Sequence, residues 1–397
     1  MRCEGHAIAR RGAAALLAGL ALWLAGPVRP AGAADIALTP LVAEVLAVPR
    51  PVLIADNRRH LVYEVQLANA TPSAVELQKA DVVDGAGKVL LSLDRGALAQ
   101  RLSLGGRRGA ETADLAAGQF GVLFLHVSLA EADAVPRSLA LRVSMRLVQP
   151  GVDLTTTIAR TEVVDSPAPV LGPPFVGKGY VAADGCCDSI RHVRALLPLN
   201  GRFALAQRYA IDWEQIDDTN RLVSGDLKAL TSYVIYGREV LAVADGTVVA
   251  ARNDLPEQVP GALPKAMTID QADGNFVVQD VGGGNFVLYA HMQPGSVRVT
   301  AGMTVKRGDS LGKVGNSGNT QAPHLHLHVM DGPSPLLSNG VPYVFDSFTV
   351  TALNRIGTAD FDKAEATGSP LTLAPVSPPQ RRQGMLPIDL SVVDFAR

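Results

Sequence analysis

The most informative stretch of this chain is Pro323-His324-Leu325-His326-Leu327-His328. It follows a glycine-rich stretch, Gly315-Asn316-Ser317-Gly318-Asn319. Alternate residues of an extended strand point to one face, so the three histidines of the run would project together. Imidazole is a common ligand of zinc and the usual general base near neutral pH. The run therefore predicts a strand that lines a metal site. The alternative is a polar strand face whose histidines are satisfied by each other and by solvent.

The composition is that of a globular protein rich in β structure. The chain has 397 residues, which at about 150 residues per domain suggests two domains. Hydrophobic residues make up 47% and charged residues 19%, which argues against global disorder. Aromatic residues are scarce and glycine is plentiful, which favours turn-rich strands over a helical bundle. The formal net charge is −2 without a long basic run, so nucleic acid is not an expected partner.

The first 33 residues have the pattern of a cleaved signal peptide. Arg2, Arg10 and Arg11 precede an apolar run over residues 12–26, and Ala31-Gly32-Ala33 supplies small residues for cleavage. The run is shorter than the roughly 20 residues that span a bilayer, and no later stretch of sequence is long and apolar enough to do so. We therefore expect an exported protein without a stable membrane span.

Removal of residues 1–33 leaves Cys186 and Cys187 as the remaining cysteines. In an oxidising compartment, adjacent cysteines form either a vicinal disulfide or two buried thiols. A two-cysteine zinc site is the least favoured alternative, because the sequence offers no further cysteine for it.

Residues 35–165 are predicted to form an antiparallel β-sandwich of immunoglobulin-like type. Alternation of apolar and polar residues marks strands over 61–67, 122–127 and, in part, 139–147. Turn signals separate these strands, as expected for a sandwich. His60 and His126 have no companion histidine or cysteine close in sequence, so both are interpreted as structural histidines.

A proline-rich linker is predicted over residues 166–178, followed by a second β-rich domain over 179–350. Within that domain, residues 240–251 resemble a strand–turn–strand hairpin. Residues 274–280 and 285–291 resemble a second pair of strands around three glycines. The tail over 351–397 is expected to be loosely ordered, with one docked segment near residues 386–395.

Four segments of the second domain supply polar groups suited to a metal hydrolase. Asp212 lies in an apolar strand, where an unpaired carboxylate is costly unless a metal or an arginine such as Arg208 or Arg238 compensates it. His291 ends another predicted strand, the histidine run provides the third piece, and His192 stands alone upstream. Their joint occurrence in one β-rich domain favours a metal site.

Motifs of this domain occur in the order found in one family of zinc enzymes. The matching segments are residues 239–249, Gly274-Asn275 followed by Tyr289-Ala290-His291, residues 302–312, and residues 315–326. Over about residues 180–350 the chain resembles the lysostaphin- and LytM-like zinc metallopeptidases, bacterial enzymes that cut peptide bonds in peptidoglycan. The resemblance implies a mainly β fold, with a lysostaphin-like β-sheet domain following the sandwich. It also implies an exported zinc metalloendopeptidase that acts in the periplasm or outside the cell.

The resemblance also assigns residues. Asp212 and His326 correspond to zinc ligands, and His324 and His291 to the catalytic histidines. His328 stands where an acidic residue is common in the family, and it is interpreted either as a partner of a ligand or, slightly preferred, as a surface histidine.

One departure from the family pattern concerns the first ligand. The family writes it as His-x-x-x-Asp, which places histidine at position 208, but this chain has Arg208. Arginine stays protonated and offers no lone pair to zinc. Either another residue completes the site, with His192 the natural substitute, or the domain has lost its metal and binds cell wall or activates another hydrolase. The predicted ligand set for Zn²⁺ is therefore Asp212, His326 and His192.

A carrier module is a further alternative, because residues 302–312 also resemble the flattened barrels that carry biotin or lipoyl groups. Lys306 lacks the neighbours expected of a modified lysine, so the peptidase is preferred. The segments 213–236 and 253–273 are expected to border the substrate cleft.

Overall fold

The computed structural model describes residues 39–107 and 109–396, and Pro40–Arg397 form one compact unit. The predicted signal peptide over residues 1–33 lies outside the described residues. No helix in the described part of the chain is both long enough and apolar enough to cross a membrane.

The first part of the unit consists of strands and one short helix. In chain order they are β1 (Leu41–Val45), β2 (Pro51–Ile54), β3 (Arg58–Asn69), β4 (Val75–Asp84), β5 (Val89–Asp94), α1 (Arg95–Arg101), β6 (Leu102–Leu104), β7 (Asp114–Leu115), β8 (Phe120–Ala130), β9 (Ser138–Leu147) and β10 (Val152–Glu162).

These strands form two antiparallel sheets. The front sheet has the order β1-β3-β8-β6 with β2 beside β3, and the back sheet has the order β10-β9-β4-β5 with β7 beside β4. Leu61, Tyr63 and Val65 of β3 pack into the core shared with the back sheet. Val62 points the other way, into a core formed with the second half of the chain. The front sheet is therefore covered on both faces.

The second part of the unit is also dominated by strands. In chain order its elements are β11 (Val170–Leu171), β12 (Gly177–Ala183), α2 (Ile190–Val193), β13 (Leu197–Leu199), β14 (Arg202–Ala204), β15 (Ile211–Gln215), a 3₁₀ helix (Leu230–Ser232), β16 (Glu239–Leu241), β17 (Gly246–Arg252), a 3₁₀ helix (Ile269–Gln271), β18 (Asn275–Gly282), β19 (Asn285–Met292), β20 (Thr304–Val305), β21 (Ser310–Lys313), β22 (Leu325–Met330), β23 (Val344–Phe345), β24 (Phe348–Asn354), α3 (Thr358–Thr367), β25 (Leu373–Arg382) and β26 (Ser391–Phe395).

A ten-stranded antiparallel sheet organises this half, with the order β20-β17-β18-β19-β22-β15-β12-β26-β24-β25. The smaller pairs β13-β14 and β16-β21 lie beside it, and β11 pairs with β23 in parallel. Strand β22, which contains His326 and His328 and directly follows His324, lies between β19 and β15. The predicted mainly β architecture is confirmed.

The strands predicted over 61–67, 122–127 and 139–147 are present as β3, β8 and β9, and β18 pairs with β19 as expected. The hairpin predicted over 240–251 is wrong. Strand β16 pairs with β21, whereas β17 pairs with β18 and β20. The Asp245-Gly246 turn therefore connects the β16-β21 pair to the ten-stranded sheet that contains β17.

The expectation of a loosely ordered tail is also wrong. Strand β26 pairs with both β12 and β24, and β25 forms the edge beside β24. The residues of β24 alternate between buried and half-buried positions, so this strand packs one face into the core. Helix α3 buries Phe361 and Ala364. The predicted linker contributes too, because Val170–Leu171 forms β11 and Gly177 begins β12.

Candidate metal centre

Strand β22 places His326 and His328 on one face and its odd-numbered apolar residues on the other. Leu325, Leu327 and Val329 point into the main core. His326 lies opposite Asp212 of β15 in the strand register, and its Nδ1 is 2.7 Å from Asp212 Oδ1. Directly opposed residues of antiparallel strands have close side chains, so the pairing of β15 with β22 creates this contact.

The short helix α2 brings His192 to the same carboxylate. His192 Nε2 is 3.3 Å from Asp212 Oδ2. Its Nδ1 donates to the carbonyl oxygen of Asp184 at 2.7 Å, which orients the ring so that Nε2 faces Asp212. A ligating histidine is commonly oriented in this way by a backbone carbonyl.

His291 and His324 are held in the same manner. His291 Nδ1 donates to the carbonyl oxygen of Ser317 at 2.8 Å, and His324 Nδ1 donates to that of Ala322 at 2.9 Å. Their Nε2 atoms are left as acceptors, and His324 Nε2 is 3.4 Å from Asp212 Oδ1. His291 has a φ of 61°, a left-handed conformation that is uncommon for histidine and typical of functional sites.

The turn over residues 315–319 fixes this arrangement by close backbone packing. Gly274 and Gly318 both have positive φ, and a Cβ on Gly274 would lie 2.1 Å from the carbonyl oxygen of Ser317. That carbonyl is the one that accepts from His291. A side chain at Gly274 would therefore displace the group that orients the histidine.

Two sets of donor atoms meet at His326. The atoms of His192, Asp212 and His326 lie within 4.8 Å of one another, and so do those of His291, His324 and His326. Three of these histidines give their other ring nitrogen to a backbone carbonyl. Nitrogen donors with one carboxylate are a usual zinc ligand set. The residues present therefore fit a zinc ion.

The charges of the cluster shift its pKa values in opposite directions. Burial raises the pKa of Asp212, but His192, His324 and His326 lower it well below its usual range. Burial lowers the pKa of His192, yet Asp212 outweighs this effect and raises it to about 9. Burial, together with His324 and His326, holds the pKa of His291 well below its usual range. His291 is thus a neutral imidazole near neutral pH, as a proton acceptor must be.

The preference for His328 as a surface histidine is wrong. Its side chain is fully buried on the same face of β22, and its Nδ1 is 2.9 Å from His326 Nε2. His328 Nε2 has no hydrogen-bond partner among the described residues. His328 contacts the ring nitrogen of His326 that does not face Asp212, which makes it a partner of a predicted ligand.

Arg208 takes no part in this cluster. Its guanidinium makes a two-pronged contact with Glu64 of β3, at 2.9 Å from Nε to Oε1 and 2.7 Å from Nη2 to Oε2. Its Nη1 also donates to the carbonyl oxygen of Gly340 at 2.7 Å. The position at which the family has a zinc ligand is thus used here to join the front sheet to the second half of the chain.

The cluster lies in a cleft of about 430 Å³. Leu263 from the segment 253–273 lines this cleft, as predicted for that segment. Two acidic residues that were not predicted from the sequence also line it, Glu214 of β15 and Glu365 of α3. Glu214 could have been found, because it is two residues after Asp212 and shares its face of the strand. Burial and Glu365 raise the pKa of Glu214 well above its usual range.

Comparison with known proteins identifies the family of this region. Residues 228–338 match the model of Peptidase family M23. Endolysin 2638A of Staphylococcus phage 2638A is 35% identical over 80 residues, which are 19% of this chain and 16% of the endolysin. The alignment thus spans a small part of the endolysin's length. His291, His324 and His326 lie inside the family match, whereas His192 and Asp212 precede it.

The chain is also similar to solved structures. The catalytic domain of the prophage-encoded M23 protein EnpA from Enterococcus faecalis is 21% identical, over 44% of this chain and 92% of that one, with a TM-score of 0.25. A zinc-containing peptidase from Vibrio cholerae is 11% identical, over 71% of this chain and 79% of that one, with a TM-score of 0.24. Scores this low give no information on substrate or activity.

Residues 228–338 of this chain are therefore a domain of peptidase family M23, of the lysostaphin- and LytM-like type.

Proposed function

We propose that this protein is an exported zinc metalloendopeptidase that hydrolyses peptide bonds of peptidoglycan. The observation that carries the proposal is the meeting of two donor sets at His326. One set, with His192 and Asp212, has the composition of a zinc site. In the other, His291 and His324 each engage Nδ1 with a backbone carbonyl and leave Nε2 for proton transfer.

In this proposal, His192, Asp212 and His326 hold the metal. His192 replaces the histidine that the family has at position 208. Zinc, when bound, supplies a Lewis acid that polarises a carbonyl group and lowers the pKa of water.

The remaining histidines handle the proton. His324 Nε2 accepts a proton from the attacking water, because its Nδ1 is already engaged with the carbonyl oxygen of Ala322. The same nitrogen then returns the proton to the leaving amine. His291, held by the carbonyl oxygen of Ser317, orients the water beside it.

The substrate and the location in this proposal are those of M23 cell-wall hydrolases. M23 cell-wall hydrolases act outside the cytoplasm, and the predicted signal peptide over residues 1–33 accounts for export of this chain. In this proposal, the binding partner of the protein is the peptide cross-link of peptidoglycan.

Metal analysis combined with a muropeptide digest tests the proposal. Protein purified without chelators should contain one zinc, and both zinc and cleavage should be lost in His192→Ala and in His326→Ala. Ile190→Ala is the matched control, since Ile190 lies on the same short helix and is 64% exposed. Arg208→His should gain no ligand, because position 208 faces Glu64. Full zinc and cleavage in His192→Ala would show that His192 is not the substitute ligand.

The alternative is a domain that activates another hydrolase without turnover. It would be indicated if the protein lacked cleavage of its own while its stimulation of a second hydrolase survived His326→Ala. The placement of His192 beside Asp212 favours the enzyme, because it supplies the ligand whose absence motivated the alternative.

A further inference from the structure

A second group of metal-ligating side chains lies outside the cleft, between the front sheet and the segment that precedes α2. His60 of β3, His126 of β8 and Cys187 each offer one donor atom, and these atoms lie within 4.8 Å of one another. The two histidines have no companion close in sequence, but the fold brings them together. They occupy neighbouring strands of the front sheet, two positions apart in the register.

The two imidazoles face each other. His60 Nδ1 is 2.7 Å from His126 Nε2, and the rings stack with centroids 5.0 Å apart. A tetrahedral zinc ion with two nitrogen ligands would hold these atoms about 3.4 Å apart, given Zn–N bonds of about 2.0–2.1 Å. The rings would thus need to separate by less than about 1 Å for a metal to replace the shared proton.

Carboxylates stand behind both rings. His60 Nε2 is 3.1 Å from Asp56 Oδ2, and His126 Nδ1 is 3.9 Å from Asp188 Oδ2. Asp188 is itself held by Arg101. A carboxylate on the outer nitrogen of a histidine orients the inner nitrogen toward a metal. The arrangement is therefore that of a built ligand pair and its supporting groups.

Cys187 is the third donor, and its sulfur is engaged in a disulfide with Cys186. A disulfide sulfur is a poor ligand, whereas a thiolate is a strong one for zinc. Access of metal to this group thus depends on the oxidation state of the two cysteines.

We propose that reduction of the Cys186–Cys187 disulfide by a dithiol creates a second zinc site, formed by Cys187, His60 and His126. The dithiol gives two electrons and two protons and is itself oxidised to a disulfide, which leaves two thiols. The thiol of Cys187 releases its proton when zinc binds. A fourth position remains for water.

The proposed second site shares no ligand with the metal site in the cleft. Its Cys187 lies on the segment that leads into α2 and His192. Asp184, whose carbonyl oxygen orients His192, precedes the two cysteines, and Asp188 follows them. The proposal does not require that the cleft be an active enzyme.

Cobalt binding to the reduced protein tests this site, because a thiolate–cobalt bond has a charge-transfer absorption that nitrogen and oxygen ligands do not give. The full chain is reduced with dithiothreitol, desalted without oxygen and titrated with Co²⁺. We expect the band to reach its maximum at one equivalent and to disappear on addition of Zn²⁺. It should be absent from the oxidised protein and from reduced Cys187→Ser.

Cys186→Ser is the decisive variant, since it leaves Cys187 as a thiol without any reductant. The Cys186→Ser protein should show the cobalt band without reduction. The double variant Cys186→Ser with His126→Ala should bind cobalt at least roughly tenfold more weakly. The band should persist in reduced His326→Ala, which separates this site from the cleft. Absence of the band in folded Cys186→Ser, or binding unaffected by His126→Ala, would overturn the proposal.

Alkylation of the reduced wild-type chain gives a readout that needs no variant. Zn²⁺ should protect Cys187 from iodoacetamide while Cys186 remains reactive, as measured by mass spectrometry of the peptide that contains both. Equal modification of the two cysteines with and without zinc would likewise reject the site.

Discussion

At the scale of single residues, His328 is the side chain whose role the structure changes most. It is fully buried, yet one of its ring nitrogens has no partner among the described residues. A buried donor or acceptor without a partner is costly, so such a group is retained for a reason other than stability. Its contact with His326 Nε2 supplies that reason, because it fixes the ring that presents Nδ1 to the cleft.

Replacing His328 by alanine should lower zinc affinity by about 10- to 100-fold, the usual effect of removing a group that orients a ligand. His328→Asn places an amide oxygen near the position of Nδ1 and should retain most of the affinity. Competition against a chromophoric chelator measures both values. Equal affinities for wild type and His328→Ala would mean that His326 is oriented without this contact.

At the scale of elements, the strands after residue 347 are part of the structure that supports the cleft. Strand β26 borders β12, which in turn borders β15 and Asp212. Phe395 of β26 packs against Trp213, with ring centroids 5.3 Å apart, on the face of β15 opposite Asp212. The end of the described chain thus supports the strand that carries a predicted ligand.

Phe395→Ala should therefore lower the free energy of unfolding by about 3–5 kcal/mol, the typical cost of removing a buried phenylalanine ring. Chemical denaturation followed by the fluorescence of Trp213 provides the measurement. Phe120→Ala is the comparison, since Phe120 is 37% exposed and should lose less. A loss no larger than that of Phe120→Ala would show that β26 does not support the core.

The sequence predicted the strands around the site better than it predicted their partners. Alternation and the glycine-rich turns identified β3, β8, β9, β18, β19 and β22, because those strands have one clear pattern each. The pairing of β16 with β21 was missed, since a local Asp-Gly turn suggests a hairpin while the actual partner is distant in sequence. The tail was missed because Pro375, Pro378 and Pro379 lie within β25, and prolines in a segment argue against a strand.

In the candidate site, too, residues within local motifs were predicted and residues placed by distant contacts were harder to predict. Asp212, His291, His324 and His326 lie in motifs that can be read directly. His192 could be inferred only because no other histidine was left upstream, and its placement depends on α2 folding back onto β15. Glu365 carries no local signal, since its position in the cleft depends on how α3 packs. Contacts between distant segments are set by the tertiary fold rather than by local pattern.

At the scale of the whole molecule, the ion pair of Arg208 and Glu64 joins the two halves. Both side chains are almost fully buried, with exposed fractions of 3% and 0%. Burial of two charges is costly, and their mutual contact offsets that cost only while both remain. The pair therefore specifies how the front sheet and the second half fit together.

Arg208→Met should destabilise the protein by about 3–5 kcal/mol, because it leaves the Glu64 carboxylate buried without a partner. The double variant Glu64→Leu with Arg208→Met should recover most of this loss, since it removes both charges. Urea denaturation of the wild type, both single variants and the double variant gives the interaction free energy. Additive losses would indicate that the two side chains do not depend on each other.

The covering of the front sheet on both faces also bears on the order of folding. Its hydrogen-bonded strands come from residues 41–130, so the front sheet precedes in sequence the residues of the second half that cover Val62 and Phe124. Chains generally fold from the first segments onward as they are synthesised. The outer face of the front sheet is therefore exposed to solvent until the second half of the chain has folded. Dehydration of Glu64 then comes late, when Arg208 arrives. Substitutions at this junction should chiefly accelerate unfolding and leave the rate of folding almost unchanged.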